Sequence, residues 1–386
     1  MSKVFFTDAH AKPGKPLTGK VGRLLEAAGL GEVVAPGDMV AVKVHWGELG
    51  NPNYLRPVFA RKAVEAVQGA GGRPFVTDTN VLYRAARHDA LGNLEAAAQN
   101  GYTRETMGAP LIVADGLLGH DSQDVPVPGG SRVKSARIAS AIRWSDALVV
   151  LSHVKGHMLF GFGGALKNLG MGCATPAGKA ELHQDLRPKV AKERCVGCGL
   201  CGRVCPEDAI TYGPKGRGAP KPGPDAKAKA EIDESRCIGC GECVAVCPEE
   251  AIPIQWETAQ APLLEKTAEY AWAALEGKQG KAIFVSFLLD VTPDCDCCDW
   301  SDPPFVPNLG LLASRDPVAI DNAAADLVSR APRFKGSALE GKPGADKDAF
   351  TALHGRDWRG LLDHAERLGL GKRSYELVPL PGSKAP

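Results

Sequence analysis

The stretches CVGCGLCGRVCPEDAI (residues 195–210) and CIGCGECVAVCPEEAI (residues 237–252) are two copies of one pattern, C-x2-C-x2-C-x3-C-P. Two-residue loops between cysteines let three thiolates converge on one corner of an iron–sulphur cube, and in a paired arrangement the fourth thiolate comes from the other copy. The repeat therefore predicts a small module that holds two [4Fe-4S] clusters. The predicted ligands are Cys195, Cys198, Cys201 and Cys247 for one cluster, and Cys237, Cys240, Cys243 and Cys205 for the other.

Structural zinc and disulphide bridges are the alternatives for these cysteines. Zinc sites use cysteine pairs separated by long spacers, which a quartet ending in Cys-Pro does not match. Disulphides require an oxidising compartment, and the first residues, MSKVFFTDAH, have neither the basic nor the apolar region of a secretory signal. The repeat resembles the bacterial two-cluster ferredoxin module, in which an apolar pair such as Ala209-Ile210 or Ala251-Ile252 follows each quartet.

Composition predicts a soluble, cytoplasmic globular protein. The 386 residues are 44% hydrophobic, which is enough for ordinary buried cores in two or three domains. Lys and Arg number 46 against 45 Asp and Glu, so no global charge attracts nucleic acid or an anionic membrane surface. No run of eighteen or more apolar residues is present, so we expect no membrane span.

The remaining sequence alternates strand-like and helix-like segments, which predicts an α/β fold with a parallel or mixed sheet flanked by helices. The small α+β two-cluster ferredoxin domain (191–255) is then inserted between a first α/β part (1–190) and a second (256–386), and the tail from residue 379 is expected to be disordered. Predicted strands cover 3–7, 38–44, 73–77, 110–114, 146–152, 281–288 and 374–378; predicted helices cover 17–30, 57–69, 91–100, 135–144, 259–275, 345–354 and 358–368, with another beginning at Pro317.

A second group of polar residues follows the most strand-like segment, in SHVKGHMLFGFGGALKNLGMG (152–172). Histidines, lysines and glycines concentrated at a strand end are typical of a loop that approaches a ligand closely. His45 ends another predicted strand, and ligands of open α/β sheets gather at that edge. The alternative is a glycine-rich turn with structural histidines. The candidates from this reasoning are His45, His157 and Lys167 for catalysis and Gly161, Gly163 and Gly164 for cofactor binding.

Whole-chain features resemble the family of iron–sulphur-centre proteins known as domain of unknown function family 362. The segments HVKGHMLFGFGGALKNLGMGC, CDCC (295–298) and LLASRDPVAID (311–321) carry the resemblance, together with the inserted cysteine module. The resemblance implies the α/β fold and the clusters but no established reaction.

The α/β part also resembles the nickel-pincer lactate racemase family. His157, Lys167 and His183 match, in order, that family's catalytic acid/base, its nucleotide-carrying lysine and its nickel-ligating histidine. The segment before Pro57 is similar to that family's arginine-containing loop, which implies a cofactor-binding role for Arg56. Asn80 stands where the family has a second catalytic histidine; because asparagine does not titrate, Asn80 is a candidate for cofactor binding instead.

The segment DCDCCD (294–299) concentrates three thiols and three carboxylates. One interpretation is a metal or third cluster site, completed by Cys173 or His183; a second is a thiol pair that carries electrons or forms a disulphide; a third is a polar loop with buried cysteines. Adjacent Cα atoms lie about 3.8 Å apart, below the usual disulphide span, so vicinal cysteines pair poorly. The candidate metal ligands here are Cys295, Cys297 and Cys298.

The leading hypothesis is an iron–sulphur oxidoreductase component with an unknown substrate. Electrons exchanged with a redox partner protein pass through two [4Fe-4S] clusters to a site formed by His45, His157, Lys167, His183 and the CDCC segment, where a small-molecule substrate or a further metal binds. One alternative is a non-catalytic electron carrier or assembly subunit. Another is an isomerase-like metal enzyme acting on a hydroxy acid, with nickel at His183.

Overall fold

The protein is described here by a computed structural model that covers residues 1–83, 85–183, 188–205, 207–212, 229–237, 242–253 and 260–384. The predicted ligand Cys240, and residues 213–228 between the two quartets, lie outside the described residues.

An eight-stranded mixed sheet organises the chain. Its strand order is β14-β1-β13-β12-β7-β2-β3-β4, and β13 runs antiparallel to the other seven. The strands are β1 (Ser2–Asp8), β2 (Met39–Lys43), β3 (Arg73–Asp78), β4 (Leu111–Val113), β7 (Ala147–His153), β12 (Ala282–Leu288), β13 (Gly310–Ser314) and β14 (Tyr375–Pro379). Neighbours β7 and β12 come from opposite sides of the cysteine-rich segment, so both α/β parts contribute to one sheet. The predicted fold class is confirmed.

Helices cover both faces of the sheet. They are α1 (Lys20–Ala27), α2 (Leu30–Val33), α3 (Pro57–Gly69), α4 (Ala90–Gln99), α5 (Arg104–Met107), α6 (Ser140–Trp144), α7 (Ala165–Gly170), α8 (Pro176–His183), α9 (Leu200–Arg203), α10 (Glu242–Ala245), α11 (Gln260–Leu275), α12 (Pro317–Arg330), α13 (Ala349–His354) and α14 (Arg359–Arg367). One apolar core lies under α1 and α3, and a larger one lies under α7, α11 and α12. Strands β7 and β12 are buried along their whole length because they lie between the two cores.

Local sequence signals account for many helix boundaries. Proline is at the first position of α3 and of α12, where its missing N–H costs no hydrogen bond. Asp316 caps α12 by accepting the backbone N–H groups of Val318 and Ala319. No helix among the described residues has both the length and the apolar character needed to cross a membrane.

Two predictions about local structure are wrong. Residues 135–144 are not one helix: Ser135–Ala139 form β6, which pairs with β5 (Ser122–Pro126) and buries Ile138, and only then does α6 begin. The tail is ordered as far as it is described, because the Leu380 N–H donates to the Phe6 carbonyl and the Lys384 N–H donates to Asp8. In both segments long-range pairing decides the structure rather than local propensity.

The cysteine-rich module packs against the α/β part through α8. Its described elements are α9, α10 and a two-stranded hairpin of β10 (Ile210–Tyr212) and β11 (Ala230–Ile232). Helix α10, which carries Cys243, packs against α8. Leu82 and Ala180 of the α/β part belong to the same apolar cluster as Cys195, Cys201 and Cys243.

Candidate functional site

A cavity of about 430 Å³ opens at the carboxyl edge of the parallel strands. The segments that follow β2, β3, β7 and β12 line it, as expected for ligand sites of α/β sheets. One part of the wall is apolar and includes Val81, Leu82, Met158, Leu159, Phe160 and Met171. The polar part consists of lysines, histidines and cysteines together with Asp78, Arg87, Thr79, Tyr83 and Asn168. A mostly apolar cavity with a few convergent polar groups is the usual form of a small-molecule site.

One wall of the cavity is a buried ion network centred on Asp78. Lys43 donates to this carboxylate at 2.9 Å and Arg87 donates at 3.2 Å, and Arg87 is also paired with Glu48 at 3.1 Å. Burial alone would raise the pKa of Asp78, but the charges of Lys43 and Arg87, with the hydrogen bond from Lys43, outweigh burial and lower it. His45 borders the network, and burial together with Arg87 lowers its pKa to about 3. This wall therefore presents a neutral imidazole at neutral pH.

His157 also lines the cavity, in a defined tautomer. It ends β8 (Lys155–His157), which forms a hairpin with β9 (Gly161–Gly163). Its Nδ1 accepts the backbone N–H groups of Leu159 at 3.0 Å and Phe160 at 3.2 Å, so the proton of the neutral ring is on Nε2. Burial, followed by the charge of Lys167, lowers the pKa of His157 to about 4. The side chain is thus a neutral donor, and a ring nitrogen of His157 lies within 4.8 Å of the Cys295 sulphur.

Several donors converge on Cys295. The Nζ of Lys167 is 3.4 Å from its sulphur. The hydrogen bond from Cys297 makes the largest contribution to holding the pKa of Cys295 well below its ordinary value, and Lys167 and His157 act in the same direction, against burial. The pKa of Cys297 moves upward because it donates within the thiol cluster. Ligand atoms of His157, Cys295 and Cys297 all lie within 4.8 Å of one another, so this group of residues is close enough to share a metal ion.

Contacts of Asp296, which is completely buried, hold the CDCC segment in place. Its carboxylate accepts His153 Nδ1 at 2.9 Å and Lys155 Nζ at 3.0 Å, both from the end of β7 and the start of β8. Tyr83 Oη donates to the Cys297 carbonyl at 2.7 Å and Asn51 Nδ2 donates to the Cys298 carbonyl at 3.1 Å. Polar contacts from three segments therefore fix the loop.

A buried carboxylate positions the helix that carries Lys167. Asp321 of α12 accepts the N–H groups of Ala165 at 2.6 Å and Leu166 at 2.9 Å, which are unpaired donors of the first turn of α7. Burial raises the pKa of Asp321 to about 7. A Cβ at Gly164 would lie 2.2 Å from the Asp321 carboxylate, so only glycine allows this contact.

The structure brings together most, but not all, of the residues selected from sequence. His45, His157, Lys167 and His183 line the same cavity as Cys295, Cys297 and Cys298, and so do Gly163 and Gly164. Their roles remain predictions, because the structure gives positions and not reactions. Cys173, considered as a further ligand of the CDCC site, is instead packed in the larger core.

Three predicted cofactor-binding residues do not line the cavity. Arg56 is at the surface, paired with Asp290 at 2.7 Å. Asn80 is buried behind the wall, where its side chain donates to the Gly116 carbonyl and accepts from Asn93. Gly161 has φ +78° in the β8–β9 hairpin, a conformation that requires glycine for backbone reasons.

Sequence reasoning missed Lys43, Arg87, Lys179 and Tyr83. Lys179 is buried and donates to Thr79 Oγ1 and the Asn80 carbonyl, both at 2.8 Å. Lys43 was hidden inside an apolar strand, where a lysine flanked by valines was itself a signal, since lysine is rarely buried without a partner. Nothing in the local sequence of Arg87 or Lys179 marked them.

A second, much smaller cavity, of about 20 Å³, lies within the cysteine-rich module. The four cysteines on its wall are Cys195, Cys198, Cys201 and Cys247, three from the first quartet and the last from the second. Backbone N–H groups point at module sulphurs: Ala209 donates to Cys205 and Ala251 donates to Cys247, both at 3.2 Å. Four thiols around one space with N–H donors to sulphur match what a cubane requires.

Comparison with solved structures gives remote matches. The lactate racemase apoprotein from Thermoanaerobacterium thermosaccharolyticum is 12% identical, with a TM-score of 0.37, 75% of this chain covered and 51% of that chain. A protein from Thermotoga maritima is 10% identical, with a TM-score of 0.35, 70% of this chain covered and 49% of that one. This chain thus spans about half the length of each. No curated protein matches the sequence.

The family comparison covers most of the chain. Residues 40–326 match the model described as Domain of unknown function (DUF362), a range that includes the ion network, the glycine-rich hairpin, both cysteine quartets and the CDCC segment. The chain therefore belongs to the DUF362 family.

Proposed function

We propose that the protein is a cytoplasmic iron–sulphur oxidoreductase component. It holds two [4Fe-4S] clusters and exchanges electrons between a redox partner protein and a small molecule bound in the large cavity. The observation that carries the proposal is the cavity shared by Cys195, Cys198, Cys201 and Cys247, since it combines thiols of both quartets. When bound, the clusters supply one-electron transfer at potentials that depend on N–H···S bonds and burial.

Packing between the module and the α/β part supports a route for electrons. Helix α8 contributes Lys179 and His183 to the large cavity, and it packs against α10, which carries Cys243. Leu82 lines the same cavity and belongs to the apolar cluster of the module cysteines. The second cluster, with Cys243 among its ligands, would therefore lie on the side toward the cavity.

The first cluster suits exchange with a partner protein. Cys198 and Cys247 are only partly buried, as are Cys205 and Cys237 of the second set, but the side chains of Val196 and Leu200 beside the first set are also exposed. A cluster near the surface exchanges electrons with a docked partner, whereas one near the cavity serves the substrate.

The cavity favours a ligand with an apolar body and an electron-accepting polar group. Its apolar wall would hold the body, while Lys167 would donate to a polar end; Lys43 and Arg87 are already paired with Asp78 and Glu48. His45 and His157, neutral at physiological pH, are placed to donate or accept protons as electrons arrive.

Metal analysis of anaerobically purified protein tests the proposal. We expect about eight iron and eight sulphide per chain and low-temperature EPR signals of reduced [4Fe-4S] clusters. Cys195→Ala should lose the iron and signal of one cluster. Cys173→Ala is the matched control, because Cys173 is buried outside both cysteine groups, and it should retain both. Protein that reconstitutes with zinc in place of iron, or Cys195→Ala protein with undiminished iron, would exclude the two-cluster assignment.

A metal-dependent isomerase acting on a hydroxy acid is the second candidate. It is favoured by the convergence of His157, Lys167 and His183 on one cavity. It requires nickel that is lost on His183→Ala and an activity that is unaffected by dithionite. An oxidoreductase does not require nickel, and it does not require an activity that is unaffected by dithionite.

A further inference from the structure

We propose that Cys295 and Cys297 are a redox-active dithiol–disulphide pair on the wall of the large cavity. The inference rests on the proposed function, because the clusters supply the electrons, and it deepens that function by naming the group that receives them. The pair would convert single electrons into the two-electron chemistry that most organic substrates require.

Backbone geometry places the two sulphurs within reach of each other. The Cys298 N–H donates to the Cys295 carbonyl at 3.1 Å, which closes a turn over residues 295–298 and keeps their Cα atoms within about 7 Å. The sulphurs of Cys295 and Cys297 already lie within 4.8 Å. The usual disulphide span of about 4.4–6.8 Å between Cα atoms is accessible to residues two apart in such a turn, whereas adjacent Cys297 and Cys298 are too close.

The residue between the two cysteines keeps both sulphurs on one side. Asp296 directs its carboxylate to His153 and Lys155 behind the loop. Cys295 and Cys297, on either side of Asp296, both line the cavity. This arrangement leaves the two thiols facing the space where a ligand would bind.

The surroundings of Cys295 favour thiol chemistry over metal binding. A histidine that ligates a metal ordinarily donates its other ring N–H to an acceptor. His157 does the reverse, since its Nδ1 accepts two backbone N–H groups and its Nε2 carries the proton. Lys167 donates to the Cys295 sulphur at 3.4 Å and a ring nitrogen of His157 lies within 4.8 Å of it, an environment that stabilises Cys295 as the thiolate released when a disulphide opens.

The reduction step balances in electrons and protons. The Cys295–Cys297 disulphide accepts two electrons, one from each cluster, and takes one proton from solvent while the S–S bond breaks. Cys295 leaves as the thiolate held by Lys167 and His157, and Cys297 is released as the thiol. Both clusters are oxidised by one electron each.

Mass spectrometry on the holoprotein tests the pair directly. Trypsin releases residues 282–315 as one peptide whose cysteines are Cys295, Cys297 and Cys298. Anaerobic samples are equilibrated with reduced or oxidised dithiothreitol, quenched in acid, unfolded and alkylated with iodoacetamide. We expect three alkyl groups on the peptide from the reduced sample. The oxidised sample should carry one alkyl group, on Cys298, with the loss of two hydrogens.

Two serine variants identify the partners. Cys298→Ser, the adjacent control, should retain the oxidised pair, while Cys297→Ser should leave Cys295 alkylated in both samples. Three alkyl groups on the oxidised wild-type peptide, or protection abolished by Cys298→Ser, overturns the inference. Zinc or iron that binds in addition to the two clusters and is lost in Cys297→Ser also overturns the inference.

Iron and sulphide are measured on the same samples, which separates the two claims. Full cluster content with a pair that never oxidises overturns the inference alone. A protein that never binds iron overturns the proposed function and, with it, the electron source of the pair.

Discussion

Substitution of Asp296 by asparagine tests whether the ion cluster beneath the CDCC segment is what holds this segment in place. Burial alone would raise the pKa of Asp296, but the charges of His153 and Lys155 outweigh it and keep the pKa below its ordinary range. The carboxylate is fully buried and both partners are nearly so. Asparagine keeps the shape and one acceptor for His153 but leaves the Lys155 ammonium opposite a neutral amide.

The expected loss of stability follows from the burial of the Lys155 charge, which remains after the substitution. Removing one partner of a buried ion pair costs about 3–5 kcal/mol, because the other charge stays desolvated without compensation. An unfolding entropy of about 2.1 cal/mol/K per residue gives roughly 0.8 kcal/mol/K for 386 residues, so the midpoint of thermal unfolding should fall by about 4–6 °C. Asp299→Asn is the matched control, because Asp299 is exposed in the same segment, and it should shift the midpoint by less than about 1 °C.

The assay is calorimetry of anaerobic holoprotein with equal iron content in every variant. A Lys155→Met/Asp296→Asn double variant removes the charges of these two residues and should recover at least half of the loss, since no lysine ammonium is then buried opposite a neutral amide. A shift for Asp296→Asn no larger than that of Asp299→Asn would refute the reasoning. So would a double variant as unstable as the single one, since the cost would then not lie in the uncompensated lysine.

Two further predictions concern the cavity walls. Gly164→Ala should destabilise the fold by about 1–3 kcal/mol and displace α7, because the new Cβ would lie 2.2 Å from the Asp321 carboxylate. Gly22→Ala in α1 is the control: no atom lies within 4 Å of a Cβ built there, so this variant should be neutral or slightly stabilising. Equal urea midpoints for the two variants would contradict the prediction. Burial lowers the pKa values of His45 and His183 to about 3. Below pH 6.5 the unfolded chain therefore binds more protons than the folded chain. The stabilisation from these neutral histidines should be complete above pH 6.5 and should decrease as the pH is lowered toward 3. Replacing either histidine by glutamine should weaken the dependence of the free energy of unfolding on pH, measured by denaturation from pH 4 to 8. An unchanged pH dependence would exclude a contribution from the replaced histidine.

The cysteine-rich module shows how far spacing alone can predict contacts. The assignment of Cys247 to the cavity of Cys195, Cys198 and Cys201 needed only the duplicated pattern, because two-residue loops restrict where neighbouring thiols can point. The corresponding group for the second quartet includes Cys240, which lies outside the described residues.

The α/β part shows where local signals fail. Continuous apolar segments and proline positions predicted β7, β12 and α3 closely, because burial and backbone constraints act over a few residues. Strand β6 was predicted as helix, since its structure depends on pairing with β5. Arg56 and Asn80 were assigned by resemblance, and tertiary packing places both away from the cavity.

Sequence by itself determined the alternation of strands and helices, the cysteine quartets and the polar strand ends, because each depends on spacing within a short segment. Tertiary structure alone decided that the CDCC segment, nearly 130 residues after Lys167, lies 3.4 Å from its ammonium group. It also decided that Arg87 and Lys43 share Asp78. Parallel strands carry distant segments to one edge of the sheet, and no local pattern encodes which side chains meet there.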